Sequence, residues 1–191
     1  MARRSTPQPA NEPAPRPPAP PGGRTRDIVD AALRLLETEG PEAVTMRRVA
    51  SELGIRAPSL YKHVPDKGAI EGLLQQHAMR AFGEAVGAVG DDPRSIAAAY
   101  RTWAVQNPHL YELVARRPVR RDIVGDVEQF AGAPLLRAVG GDATRARAFL
   151  GLAHGLVDLE LNDHFPPDAD LRAVWDTALD ALTSVKRPRR R

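Results

Sequence analysis

From Thr25 to about residue 185, apolar residues recur every three or four positions, and nowhere do they alternate strictly with polar ones. That period brings side chains to one face of an α-helix, whereas strict alternation marks a half-buried strand. The chain is therefore expected to be all-α, with about nine helices. "TRDIVDAALRLLETEG" puts Ile28, Ala32, Leu35 and Leu36 on one face and stops at Gly40. In "VTMRRVASELG", Thr45 can cap and Val44 can staple onto Val49, while Met46, Val49, Ala50 and Leu53 form the stripe. Asp66 starts a long helix to about Val89, with Ile70, Leu73, Leu74, His77, Ala81 and Phe82 in register. Asp92–Pro93 and Asn107–Pro108 each read as a helix start. Residues 120–139 read as one helix that Pro134 should kink or interrupt. Asp142 or Thr144 caps a helix to Leu161 that is apolar nearly all round. A last helix, about 168–185, carries Leu171, Val174, Trp175, Ala178, Leu179 and Leu182 on one face.

Composition excludes several classes. The 191 residues contain no cysteine, so disulfide frameworks, thiolate zinc sites and cysteine nucleophiles are ruled out. No run approaches the eighteen apolar residues of a membrane span, so no membrane partner is expected. The N-terminal stretch has arginines but no apolar segment of the secretory kind, so a cytoplasmic protein is expected. Residues 1–23 hold eight prolines and read as a disordered tail with polyproline II character. The net charge is +3, yet residues 1–24 carry +3 and "KRPRRR" at 186–191 carries +5, which leaves −5 for the residues between. Basic tails lend salt-sensitive, sequence-independent affinity for nucleic acid when a binding surface lies nearby.

Residues 45–64 have the layout of a helix-turn-helix: a helix with a buried stripe, a tight turn at Gly54, then the short helix of "GIRAPSLYKHV". In that short helix only Leu60 and Val64 are clear inward anchors. Ala57, Pro58, Ser59, Tyr61, Lys62 and His63 are left to face outward, where an α-helix in the major groove can read base edges with short polar side chains. Lys67, Arg47 and Arg48 are placed to reach phosphates, and the backbone at Thr45 offers helix N-terminal N–H groups. Spacing alone leaves a plain solvated face as the alternative.

The stretch from Thr25 to Leu74, with "VASELGI", "SLYKHV" and "DKGAIEGLL", resembles the N-terminal domain of the tetracycline-repressor (TetR) family of transcriptional regulators. The resemblance implies that Arg47, Ala57, Pro58, Ser59, Tyr61, Lys62, His63 and Lys67 face DNA. The run "APSLYKHV" is especially similar to the tetracycline repressors proper. Arg56 departs from the pattern, since many relatives carry serine or threonine there as a helix cap.

The family further implies a C-terminal domain that binds a small effector and forms a homodimer. "YRTWAVQNPHLYELV" and "FLGLAHGLVDLELNDHF" resemble the subgroup whose domain is named for a Trp-His-Gly motif, with His154–Gly155 as the His-Gly pair and Leu150 or a neighbour where the tryptophan would stand. Gly151 and Gly155 lie four apart with Ala148 on the same side. Two glycines on one helical face, each unfavourable by about 1 kcal/mol relative to alanine, point to a close helix neighbour. Ala148, Gly151, Leu152, Gly155, Leu159, Trp175 and Leu179 are the expected dimer interface, with packing inside one chain as the alternative. Tyr100, Trp103, Phe130, Phe149 and His154 are the candidate ligand pocket. His154 stands four residues before Asp158, so the two can pair. A histidine on an apolar helix is more often a core group than a ligand, and no metal or cofactor is expected.

The organisation expected is a tail at 1–23, a DNA-binding domain at 24–72, a ligand-binding and dimerisation domain at 73–185 and a basic tail at 186–191. The function expected is a ligand-responsive homodimeric repressor on a palindromic operator, and not an enzyme. The alternative is a ligand-binding or interaction protein whose helix-turn-helix no longer reads specific DNA.

Overall fold

The computed structural model describes residues 22–184, so the Pro-rich and basic tails lie outside the described residues. Among the described residues there are ten α-helices, one 3-10 turn and no strand. The N-terminal unit comprises α1 (Gly23–Glu39), the 3-10 turn (Pro41–Ala43), α2 (Met46–Glu52), α3 (Ala57–Leu60) and the start of α4 (Lys67–Gly87). Ile28, Leu36, Val49, Leu60, Ile70 and Leu74 are each fully buried at its centre. The rest comprises α5 (Pro93–Gln106), α6 (Pro108–Ala115), α7 (Arg121–Val124), α8 (Val127–Ala138), α9 (Ala143–Leu161) and α10 (Leu171–Ser184).

The helix starts follow the capping chemistry. Thr45 Oγ1 accepts from Arg48 N at 3.2 Å, Asp66 from Ala69 N at 2.7 Å and Asp92 from Ser95 N at 2.8 Å. Asp142, not Thr144, caps α9. Val44 and Val49 are both buried at the start of α2, as a hydrophobic staple requires. Asn107 behaves differently: its amide donates to Trp103 O at 2.8 Å, closing the end of α5 and leaving α6 with no side-chain cap.

Helix α4 is the axle. It packs against α1 and against α5, α6, α7 and α8. The expected boundary between residues 72 and 73 therefore falls inside one continuous helix. Its close approaches need glycine. A Cβ on Gly72 would meet Ile123 Cδ1 at 2.8 Å, and one on Gly83 would meet the Phe130 ring at 2.6 Å. One register assignment on α4 is corrected: His77 is exposed, and the inward polar residue is Gln75, 1% exposed. Gln75 Nε2 donates to Leu113 O and Pro118 O, and its Oε1 accepts from Arg120 N, all at 3.0 Å. A buried amide satisfied three ways pins the segment after α6 to the axle.

The expected single helix at 120–139 is two helices, α7 and α8. The break falls at Gly125, whose φ of +56° lies in the left-handed region, and not at Pro134, which α8 accommodates in its interior. Pro134 is itself buried, so packing holds a residue there that local preference would place at a helix end.

Candidate nucleic-acid interface and ligand cavity

Helix α2 ends in a two-bond motif: Gly54 N donates to Ser51 O and Ile55 N to Ala50 O, with Gly54 at φ +64°. This turn aims α3 away from α2 while Leu60 (0% exposed) and Val64 (2%) anchor it underneath. Backbone bonds from His63 N and Val64 N to Leu60 O continue the coil past the four residues of α3 proper. Pro58, Ser59, Tyr61, Lys62 and His63 are consequently exposed, Tyr61 by 53%, while Ala57 is half-buried. Arg56 makes no cap hydrogen bond and is exposed beside them.

Two of the expected phosphate ligands are engaged inside the chain. Arg48 pairs with Glu39 at the end of α1. Lys67 Nζ lies 3.5 Å from Glu71 and 4.0 Å from Glu42. Both carboxylates also take Arg117, Glu42 at 2.6 Å and Glu71 at 3.2 Å. The Arg117 hydrogen bond, with Lys67 beside it, holds the Glu42 carboxyl below its ordinary range. Arg47, Lys62 and His63 have no such partner among the described residues and remain exposed.

The second site is a cavity of about 340 Å³ between helices α4 to α9. Phe82, Tyr100, Trp103, Tyr111, Val114, Leu135 and Leu150 supply most of its wall, and His154 supplies a polar corner. Phe82 sits edge-on to Tyr100 and Trp103, with ring centroids 5.0 and 5.3 Å apart. Tyr100 Oη lies 2.9 Å from His154 Nδ1, and Tyr111 Oη lies 3.2 Å from the same nitrogen. The Tyr111 hydroxyl also donates to the His154 carbonyl oxygen at 3.1 Å. Burial drives this trio toward its neutral forms: it lowers the His154 pKa, raises that of Tyr100 and pushes Tyr111 up to about 12. At the rim Arg121 hydrogen-bonds Glu128 at 3.0–3.2 Å, and Arg147 has no partner among the described residues.

Three of the five expected pocket residues, Tyr100, Trp103 and His154, meet there. Phe130 does not: it wedges against Gly83 and lines a separate hollow between α4 and α8. Phe149 does not either, being fully buried in the core. His154 does not pair with Asp158, whose carboxylate is taken by Arg116 at 2.6 Å. Tyr111 falls one position off the Leu110–Leu113–Val114 stripe, so helical periodicity does not mark it. In the sequence Phe82 is one more apolar residue in register on its helix, and only the fold brings it to the cavity wall.

Of the expected dimer residues, Ala148, Gly151, Gly155 and Leu159 form an exposed strip along α9, with Leu152 half-buried beside them. Nothing lies within 4 Å of where a Cβ would stand on Gly151 or Gly155, so no helix of the described residues packs closely on that face. Trp175 (8% exposed) and Leu179 (2%) are corrected: they turn into the core of their own chain, because α10 packs that face against α5 and α9.

The family profile described as "Bacterial regulatory proteins, tetR family" matches residues 28–70. That of "Tetracyclin repressor-like, C-terminal domain" matches 94–182. The HTH-type transcriptional regulator Rv0681 of Mycobacterium tuberculosis is 30% identical, over 84% of this chain and 80% of its own length. The chain belongs to the TetR family of transcriptional regulators. Another member, YobS of Bacillus subtilis, is 29% identical over 75% of this chain and 82% of its own. The class D tetracycline repressor of Escherichia coli is 46% identical over 43 residues, 22% of this chain and 20% of its own length. Solved structures share the TetR fold. The regulatory protein SCO4313 superposes with a TM-score of 0.68 at 22% identity, covering 84% of this chain and 95% of its own. The multidrug binding protein EbrR, complexed with imidazole, gives 0.63 at 23% identity over 88% of this chain and 98% of its own. The TetR chain described here is thus a DNA-binding regulator and not an enzyme. Among its described residues no helix is long and apolar enough to cross a membrane.

Proposed function

We propose that this TetR-family regulator is a cytoplasmic homodimeric repressor, released from a near-palindromic operator by a small molecule in the α4–α9 cavity. The observation that carries the reading is the outward face of α3: Ser59, Tyr61, Lys62 and His63 are exposed, without partners among the described residues, on a helix locked by Leu60 and Val64. Arg47 from α2 and the N–H groups at Thr45 flank that face, and Ala57 and Pro58 supply apolar contact for a thymine methyl. Arg48 and Lys67 add positive charge behind it while holding Glu39, Glu42 and Glu71.

A dimer presents two such helices to half-sites roughly 34–36 Å apart, or a multiple of that. The bare strip of Ala148, Gly151, Gly155 and Leu159 supports α9 as the surface where the second protomer packs, with Leu152 beneath it. The C-terminal domain is of the Trp-His-Gly type, as His154–Gly155 in this helix suggests. EbrR, which has the same fold, is a multidrug binding protein that takes imidazole and proflavin, and this supports the cavity as the effector site.

A ligand shifts the operator equilibrium only through unequal affinity for two conformations. The route from cavity to DNA is short. Val114 and Val119 line the cavity, and Arg117 between them bonds Glu42 next to α2. The test is fluorescence-anisotropy titration against DNA from upstream of the protein's own gene, with excess random competitor at two salt concentrations. Competitor-resistant binding at two protomers per site upholds the reading. Binding that disappears with competitor and salt on every promoter region tried leaves only electrostatic attraction and overturns it.

A further inference from the structure

The hydrogen-bond and charge balance of the cavity goes one step further, to the chemical class of its ligand, and rests on the cavity being the effector site. The neutral trio of Tyr100, Tyr111 and His154 owns three polar hydrogens. That of Tyr111 goes to the His154 carbonyl oxygen. Between Tyr100 Oη and His154 Nδ1, 2.9 Å apart, there is room for one more. If the phenol donates, the Nε2–H of His154 is left over. If Nδ1 donates, the Tyr100 O–H is left over. Either way one donor at the polar corner has no acceptor among the described residues, beside a tyrosine that is only 2% exposed. A donor that opens into a mostly apolar cavity offers a ligand a hydrogen to accept, so the corner suits an acceptor atom from outside the chain.

The opposite end carries charge. Arg147 precedes His154 by two turns on the cavity side of α9, which separates their backbones by about 10 Å along the helix. It has no carboxylate partner among the described residues, whereas Arg121 and Glu128 neutralise each other. No unpaired carboxylate lines the cavity. Between the two ends lie Phe82, Trp103 and Leu150, an apolar and aromatic wall.

We propose that the ligand is an elongated aromatic carboxylic acid, its carboxylate on Arg147 and an ether, carbonyl or phenolic oxygen on the Tyr100–His154 corner. A cation held over the aromatic faces is the competing occupant, because ring faces attract positive charge.

The experiment is calorimetric titration of the full-length protein with three matched probes. The first is a methoxynaphthoate with its substituents at opposite ends of the ring pair. The second is the naphthoate without the methoxy group. The third is the methoxy compound with an aminomethyl group in place of the carboxylate. The methoxynaphthoate is expected to bind at least tenfold tighter than the aminomethyl compound and several-fold tighter than the plain naphthoate. Arg147→Gln is expected to lower the affinity of both acids about tenfold and to spare the cation. Equal or tighter binding of the cation overturns the proposal, as does an acid affinity indifferent to Arg147→Gln or to the methoxy group, or no heat from any probe up to about 1 mM. The same probes added to the operator complex separate the two readings: an acid that binds through Arg147 without changing operator affinity leaves the ligand class standing and removes the effector role.

Discussion

The outward face of α3 and the wall of the cavity both set polar groups on an apolar scaffold, but they are built in opposite ways. The α3 face is local. Seven consecutive residues, one turn and two anchors make it, and Tyr61, Lys62 and His63 are exposed on the surface of the described residues. The cavity is assembled from six helices, and its polar corner joins residues 43 and 54 positions apart in sequence. A local face can lose a side chain without disturbing the fold. A non-local wall shares its residues with the core, so function and stability are harder to separate there.

The sharpest way to break the comparison is to remove the core that supports the cavity. Phe149→Ala leaves a large void behind α9 and is expected to destabilise the protein by about 3–5 kcal/mol, read as a lowered urea midpoint, with ligand binding lost alongside. If ligand binding survived at full strength, the cavity would not depend on that core.

Tyr61→Ala tests the other side. Operator affinity is expected to fall by about 1–3 kcal/mol or more, while the urea midpoint and probe binding stay put, because the ring is 53% exposed and anchors nothing. An unchanged operator affinity would remove α3 from the interface.

Arg117→Gln tests what joins the two regions. Glu42 is highly exposed, so its pair with Arg117 adds little to stability, and Glu71 keeps Lys67 as a partner when Arg117 is replaced. The expected effect is on coupling: ligand and operator each still bind, but the factor by which one weakens the other shrinks several-fold in paired titrations. A coupling factor identical to the unmodified protein's would place the route in α4 alone.

The smallest expected effect is that of pH. Burial keeps the folded-state pKa of His154 below the ordinary 6.5, with the Asp158 carboxylate opposing only in part. The unfolded chain therefore takes up this proton first. The penalty is absent above pH 6.5 and grows as pH falls below it. The urea midpoint should drop between pH 7.5 and 5.5, and less so in His154→Asn. A variant that loses stability on acidification as steeply as the original would acquit His154.

By itself the sequence determined what depends on neighbours along the chain. The all-α class follows from the 3.6-residue period, the caps at Thr45, Asp66, Asp92 and Asp142 from short side chains beside a helix start, and the α3 face from two buried positions among exposed ones. Tertiary structure alone decided which way long-range residues turn. Trp175 and Leu179 share a periodicity with any interface stripe, and only the packing of α10 on α5 and α9 says that their own chain buries them. Gly151 and Gly155 look like a close helix contact in a periodic reading, and only the fold shows that no helix of the described residues packs over them. Phe130 and Phe149 look like Tyr100 and Trp103 in a periodic reading, yet one fills the notch at Gly83, the other the core, and the remaining two the cavity. The physical reason is the same throughout. Helical periodicity fixes which residues share a face, while the partner of that face is set by packing among segments far apart in sequence, and no local preference records it.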